Sequence, residues 1–64
     1  MKILVWETTP DLTPINGREW LFNSKSLRDA ISHKCYEMKG KLSQNKTSAY
    51  LPDGNRLFGT ILEK

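Results

Sequence analysis

The stretch SLRDAISHKCYEMKG, residues 26–40, is the one segment of this chain with the spacing of an amphipathic helix. Ser26 stands three residues before Asp29, the spacing of a capping box at a helix start. Apolar side chains then recur on one stripe of a 3.6-residue wheel: Leu27, Ala30, Ile31, Cys35 and Met38. Gly40 follows as a residue that tolerates a left-handed C-cap. We therefore expect a helix over residues 26–39 that ends at Gly40.

Two strands are predicted on the N-terminal side of this helix. KILVWE (2–7) is an apolar run of β-forming residues, and REWLFN (18–23) is a second candidate. The two prolines of the segment between them exclude a central strand there. Asn16 and Gly17 both tolerate positive φ, so the pair predicts a turn before the second strand.

A polar segment and a hairpin are predicted on the C-terminal side. KGKLSQNKTS (39–48) has the composition of a loop, and AYLPDGNRLFGTIL (49–62) reads as two apolar runs around a turn. Pro52, Asp53 and Gly54 are the residues that a three-residue hairpin loop with a glycine bulge requires. The strands are expected at residues 47–51 and 55–62, and Gly59 indicates a bulge or a close backbone contact.

The predicted element order is ββαββ over residues 1–64. This order favours a single α+β domain in which one amphipathic helix packs across one face of a small antiparallel sheet. A chain of 64 residues buries about 60% of its unfolded surface. Its aromatic residues are therefore expected to matter for burial.

Composition excludes several ways of stabilising or locating so short a chain. Cys35 is the only cysteine, so no intramolecular disulfide forms, and with His33 it supplies two of the four ligands that structural zinc wants. No metal and no cofactor is expected. The sequence has no apolar run long enough to span a membrane, and no secretory signal is expected. With its lone free thiol, this composition is typical of a cytoplasmic protein, here of a cell or an infected host.

The strands present apolar side chains on both faces of the predicted sheet. Ile3 and Val5 point opposite to Leu4 and Trp6 because side chains alternate along a strand. One helix covers only one face. The second face is therefore covered either by the proline-containing loop 8–17, through Leu12 and Ile15, or by another chain, which is a partner protein or a second copy. This excess of apolar strand surface is the strongest indication of protein binding in the sequence.

The chemistry of an enzyme is not apparent. His33 and Cys35 are two residues apart on the helix, about 200° around it, so they cannot form a Cys–His dyad. No pair of carboxylates has a spacing distinctive of acid–base catalysis. Gly54 and Gly59 lack the lysine and the spacing of a phosphate-binding loop. We therefore predict a protein that is not an enzyme and has no catalytic residues.

The basic residues lie mainly in the C-terminal part of the chain. The net charge is +3, and residues 24–64 carry eight basic and four acidic groups, or +4. Such an imbalance favours acidic partners, either nucleic acid or an acidic protein surface. Lysine and arginine contact phosphates, and tyrosine stacks on bases or anchors a protein contact. The candidate binding residues are Lys34, Tyr36, Lys39, Lys41, Lys46, Tyr50 and Arg56.

The order of the segments KILVWE, REWLF, SKSLRDAIS and AYLPDGNRLFGTIL resembles that of small phage-encoded inhibitors. These include some anti-CRISPR proteins and the small phage inhibitors of host RNA polymerase. The resemblance is one of layout across most of the chain, and it implies a stoichiometric binder that blocks a host machine. Because this chain is basic, it favours docking on an acidic protein patch or near bound nucleic acid over DNA mimicry.

Two functions are thus open from the sequence. The first is a small inhibitor, encoded by a phage or mobile element, that sterically blocks a host nucleoprotein or defence complex. The alternative is a small basic DNA- or RNA-binding protein that uses the helix C-terminus and the 50–57 hairpin.

Overall fold

The protein, described over residues 1–64 by a computed structural model, is an α+β domain with one helix and five strands. The predicted fold class is confirmed. The sequence had predicted four strands, and the fifth, β3, lies inside the segment that was expected to be a loop. The elements are β1 (Lys2–Thr8), β2 (Pro14–Asn23), α1 (Leu27–Glu37), β3 (Lys41–Leu42), β4 (Ser48–Tyr50) and β5 (Arg56–Glu63).

All five strands form one antiparallel sheet in the order β2-β1-β5-β4-β3. The first and last strands of the chain are therefore neighbours at the centre of the sheet. Both are long and rich in apolar residues, and central strands are the ones that bury such residues best. The edges are β2 and the two-residue strand β3.

The β1–β2 hairpin turns earlier than the sequence predicts. Leu12 N–H donates to the Thr9 carbonyl at 2.9 Å, and β2 already begins at Pro14. Asn16 and Gly17 lie instead within an irregular part of β2. There Trp6 is opposite Glu19 while Thr8 is opposite Pro14, so β2 has extra residues to accommodate. Gly17 has a φ of +82° at this irregularity. The predicted turn at Asn16-Gly17 is thus wrong, although the positive φ it needed is present.

The 52–54 turn forms as predicted. Gly54 N–H donates to the Leu51 carbonyl at 3.0 Å, and Leu51 N–H donates to the Asn55 carbonyl at 2.8 Å. Gly54 has a φ of +93°, the left-handed conformation of the glycine bulge. The Asp53 carboxylate accepts a hydrogen bond from Asn55 N–H at 3.1 Å, which fixes the turn from within.

The helix begins as predicted and ends differently. The Ser26 hydroxyl caps it by accepting a hydrogen bond from Asp29 N–H at 3.1 Å. At the other end Lys39, not Gly40, is left-handed, with a φ of +61°. Gly40 N–H donates to the Cys35 carbonyl at 2.9 Å and Lys39 N–H to the Tyr36 carbonyl at 3.1 Å, which is a Schellman ending. The prediction of a left-handed cap at Gly40 is therefore wrong by one residue.

Gly40 is glycine for a reason of space. A Cβ atom at this position would lie 2.6 Å from the Tyr50 carbonyl oxygen and 2.9 Å from the Leu51 side chain. The chain therefore passes so close to β4 as it leaves the helix that no side chain fits.

The core lies between α1 and one face of the sheet, which we call the covered face. Its eight buried apolar residues are Ile3, Val5, Ala30, Ile31, Cys35, Ala49, Leu51 and Leu57. The predicted helix stripe is confirmed, since Leu27 and Met38 pack against this cluster. Gly59 allows the helix to approach, because a Cβ there would lie 2.9 Å from both Leu27 Cδ1 and Ile31 Cδ1. No helix in the structure has the length and apolar character needed to cross a membrane.

Candidate binding surface

The face of the sheet opposite the helix, which we call the open face, is defined by strand alternation and register. Ile3, Val5 and Leu57 point to the covered face, so their strand neighbours point away from it. Pairing across the sheet then gives the rest of the surface. The open face consists of Lys2, Leu4, Trp6, Thr8, Glu19, Leu21, Asn23, Lys41, Ser48, Tyr50, Arg56, Phe58 and Thr60.

The middle of the open face is apolar. Trp6 and Phe58 are half-buried neighbours on β1 and β5, with ring centroids 6.3 Å apart. Leu4 lies one row further along β1 and is also half-buried, while Leu21 on the outer strand is 66% exposed. No helix or strand packs over these residues, because α1 lies on the other side and all five strands are in the sheet.

The cover that the sequence suggested for this face is formed only in part. Residues 14–17 belong to β2 rather than to a loop lying over the sheet. Leu12, one of the two side chains expected to provide apolar cover, is 55% exposed at the hairpin turn. Leu12 therefore does not cover the open face, whereas Ile15 is partly buried and Thr8, at the start of the predicted loop, is fully buried.

One corner of the open face, which we call the Tyr50 corner, combines Lys41, Tyr50 and Arg56. Lys41 and Arg56 lie directly opposite Tyr50 on the two strands that flank it. The Arg56 guanidinium lies 4.7 Å from the centroid of the Tyr50 ring, a cation–π contact. Arg56 Nε is shielded from solvent and has no hydrogen-bond partner in the protein. The tyrosine itself is 48% exposed.

Two shallow grooves run beside the Tyr50 corner, and Tyr50 borders both. Lys39, Lys41 and Pro52 line the first groove. The second is lined by Ser43, Gln44, Asn45 and Ser48, the uncharged polar residues around the turn that carries Lys46. The Asn45 carboxamide oxygen holds this turn by accepting hydrogen bonds from the Ser43 hydroxyl and the Thr47 hydroxyl, both at 2.8 Å. One region thus contains four of the predicted binding residues, Lys39, Lys41, Tyr50 and Arg56, and Lys46 lies on the adjacent turn.

Lys34, also a candidate from the sequence, lies elsewhere and is engaged. It is buried, with its ammonium 4.1 Å from the centroid of the Trp20 ring and 2.8 Å from Glu37 Oε1. The hydrogen bond and charge of Lys34 hold the pKa of Glu37 below its ordinary value of 4.5, with a smaller contribution from His33. These contacts join the side of the helix to β2, so Lys34 has a structural role.

Tyr36 is the second candidate that lies away from the open face. It projects from the helix and is 88% exposed, beside a groove that Phe22, His33 and Glu37 also line. His33 meets Phe22 edge to face, with ring centroids 5.6 Å apart. Cys35, on the opposite side of the helix, is buried, and burial raises the pKa of its thiol. The predicted separation of His33 from Cys35 is confirmed.

Sequence reasoning passed over one buried polar cluster. Glu7 is 4% exposed at the end of the covered face. Its carboxylate accepts hydrogen bonds from Arg18 Nε at 3.0 Å and from Asn55 Nδ2 at 2.7 Å. These bonds tie β1 to β2 and to the loop before β5, and they satisfy the charge that burial would otherwise penalise. No sequence pattern around a single glutamate at the end of an apolar strand predicts distant partners such as Arg18 and Asn55.

Trp6, Leu21 and Phe58 were seen in the sequence as part of an apolar excess but were not placed among the candidate binding residues. Strand alternation was the signal that could have placed them there, once the helix-facing set was known. Comparison with protein-family models, with curated proteins and with solved structures gave no match to this chain. The candidate surface is accordingly judged on its geometry alone.

Proposed function

We propose that this chain is a non-enzymatic binding protein that docks the open face of its sheet onto a host nucleoprotein complex and blocks it sterically. The observation that carries the proposal is that the hydrophobic core is complete without the open face. All eight core residues lie between the helix and the covered face or at its margin. Trp6, Leu21 and Phe58 therefore remain as apolar contact area with no helix or strand over it.

The character of the open face supports binding by a mixed surface. Aromatic side chains with an apolar body are the usual anchors of protein interfaces, and charged residues usually form their rim. Here Trp6 and Phe58 lie at the middle, with Lys41 and Arg56 at one end and Glu19 on the outer strand. Such a face fits a target with an apolar patch beside negative charge, which is what a protein bound to nucleic acid presents.

The distribution of reactive groups supports a non-enzymatic role. Cys35 is buried with a raised thiol pKa, and His33 lies on the opposite, solvent side of the helix. Glu7 and Glu37 are both engaged in ion pairs that stabilise the fold. The phage or mobile-element origin of this inhibitor is part of the proposal and rests on the resemblance of layout alone.

The proposal is tested by comparing the open face with the helix side. Purified protein is added to two reconstituted nucleoprotein machines, a guide-loaded CRISPR nuclease and a transcribing bacterial RNA polymerase, and cleavage and transcript yield are measured. We expect one of the two to be inhibited at near-stoichiometric protein. Leu21→Asp on the open face should abolish inhibition, and Tyr36→Asp on the helix should retain it.

The variants also define the failure of this proposal. Circular dichroism first establishes that both are folded. If neither machine is inhibited, the proposed steric block fails. If Leu21→Asp inhibits as well as the wild type while Tyr36→Asp does not, the open face is not the docking surface.

A further inference from the structure

Four of the seven basic side chains without an ion-pair partner lie at or beside the Tyr50 corner, the other three being Lys25, Arg28 and Lys64. The lysines and arginines that do pair with carboxylates lie elsewhere, in Lys2–Glu63, Arg18–Glu7 and Lys34–Glu37. Lys39, Lys41, Lys46 and Arg56 make no such pair. The nearest carboxylates along the chain are Glu37, which pairs with Lys34, and Asp53, which accepts a hydrogen bond within its own turn. This end of the open face therefore carries uncompensated positive charge.

The positive charge surrounds an aromatic ring that is available for stacking. Tyr50 is 48% exposed and lies between Lys41 and Arg56 on the same face. The aromatic surface continues across the sheet through Phe58, which is opposite Ser48 next to Tyr50, and then through Trp6. Three rings thus lie on three neighbouring strands, beginning at the most basic corner.

The uncharged side of Tyr50 adds hydrogen-bonding groups. Gln44, Asn45 and Ser43 line the groove on that side, while Lys39 and Lys41 line the groove on the other. Amide and hydroxyl side chains bond to the edges of bases, and ammonium groups bind phosphates. One strand of nucleic acid that crosses Tyr50 would meet both kinds of group in turn.

We propose that the Tyr50 corner, together with Lys39, binds single-stranded nucleic acid, with a base stacked on Tyr50 and phosphates on Lys39, Lys41 and Arg56. The inference rests on the proposed function, since it names the component of the nucleoprotein partner that this end of the open face contacts. A single strand is favoured over a duplex because an aromatic ring on a flat sheet reaches only bases that are already unstacked. An acidic peptide would pair with the basic side chains, but it would not use the Tyr50 ring for stacking or the groove lined by Gln44 and Asn45 for binding base edges.

Fluorescence anisotropy with a labelled oligonucleotide of about 12 nucleotides tests the proposal. Oligo-dT and oligo-U are compared with a duplex of the same length. With three phosphate contacts, the affinity for a single strand should fall about 20-fold between about 50 and 200 mM salt. Tyr50→Ala should weaken binding by about 5- to 150-fold, as the loss of one stacked base does, and Tyr50→Phe should retain most of the affinity.

Matched variants distinguish stacking on Tyr50 and charge at Lys41 from the loss of any exposed tyrosine or any exposed lysine. Tyr36→Ala removes the other exposed tyrosine from the far side of the helix and should leave binding unchanged. Lys41→Gln should reduce the steepness of the salt dependence by about 0.7 in the log–log slope. Lys25→Gln, which removes an exposed charge just before the helix, should not. Thermal melting establishes that each variant is folded.

Several outcomes overturn the inference. They are the absence of single-strand binding at about 25 mM salt, equal losses for Tyr36→Ala and Tyr50→Ala, and tighter binding of the duplex. A polyglutamate peptide that binds more tightly than the oligonucleotide, with the same loss in Tyr50→Ala, would point to an acidic protein surface instead. Failure here with Leu21-dependent inhibition intact would leave the proposed function standing. Loss of the Leu21 dependence with oligonucleotide binding intact would contradict the proposed function alone.

Discussion

The covered face and the open face of this sheet are both apolar, but along the central strands β1 and β5 they differ in the size of their side chains. The covered face includes Ala49 and Gly59, and the helix lies so close that a Cβ at Gly59 would be 2.9 Å from two of its side chains. On the open face, the central strands β1 and β5 carry the large rings of Trp6 and Phe58. The helix therefore packs on the side where these two strands have the smaller residues, whereas the rings of Trp20 and Phe22 on the outer strand β2 lie on the covered face and border the core. Neither hydrophobicity nor the presence of large rings distinguishes a core face from a binding face by itself; the position of the helix does.

The most severe test of this comparison is a matched pair of leucine truncations. Leu57 is fully buried on the covered face, and Leu21 is 66% exposed on the open face. Leu57→Ala should lower the free energy of unfolding by about 2–5 kcal/mol, because it leaves a cavity. Leu21→Ala should change it by no more than about 0.5 kcal/mol.

Urea unfolding followed by tryptophan fluorescence measures both changes. In a chain of this size the Leu57 variant is expected to lose its cooperative transition altogether if the wild type has only a few kcal/mol of stability. Equal destabilisation by the two substitutions would show that the open face is part of the core, and the comparison would then fail.

A smaller effect is expected where the helix meets β4 on the covered side. Gly40→Ala forces a Cβ against the Tyr50 carbonyl oxygen and should cost about 1–3 kcal/mol of stability. Lys39→Gly, one residue earlier, relieves a left-handed non-glycine residue and should add up to about 1 kcal/mol.

The pair therefore predicts opposite signs at adjacent positions, which thermal denaturation of the two variants can check. A neutral Gly40→Ala would refute the close approach to β4. A destabilising Lys39→Gly would show that Lys39 is not the left-handed residue at the helix end.

The smallest effect is a dependence on pH at the border between the helix and β2. Lys34 lowers the pKa of Glu37 below its ordinary value of 4.5. The ionised carboxylate therefore stabilises the folded state above that value, and the contribution is lost as the pH falls through the lower, folded pKa. Glu37→Gln should flatten this part of the stability profile measured by thermal denaturation between about pH 3 and 7.

The flattening should be partial, because the Thr9 and Thr13 hydroxyls lower the pKa of Asp11 in the same direction. Asp11→Asn in addition should flatten the acid limb further. An unchanged acid limb in Glu37→Gln would mean that the ion pair with Lys34 adds nothing to stability, as is the case for many surface pairs.

Local signals in the sequence identified the elements and missed what depends on distant contacts. Ser26 with Asp29, and Pro52 through Gly54, predicted a cap and a turn whose geometry is complete within a few residues. Gly40 was misread because the reason for its glycine is the Tyr50 carbonyl, ten residues away. The same holds for β3, a two-residue strand that exists only because β4 pairs with it.

The candidate site shows the same division. Lys41, Tyr50 and Arg56 were named from charge and aromatic character, and pairing of three strands brings them together. Lys34 was named for the same reason, yet it packs against Trp20, a residue on a strand that local spacing does not relate to the helix. A charged residue on a helix therefore indicates a binding surface only once its neighbours in space are known.

What the residue pattern alone decides here is the class of the domain, the helix stripe and the 52–54 turn, since each rests on interactions between near neighbours in the chain. Only the folded arrangement decides that β5 enters the sheet beside β1, which apolar face the helix covers, and that residues 14–17 join β2 instead of forming a loop. The reason is that these outcomes depend on how side-chain volumes fit between elements far apart in sequence, and periodicity does not encode that fit.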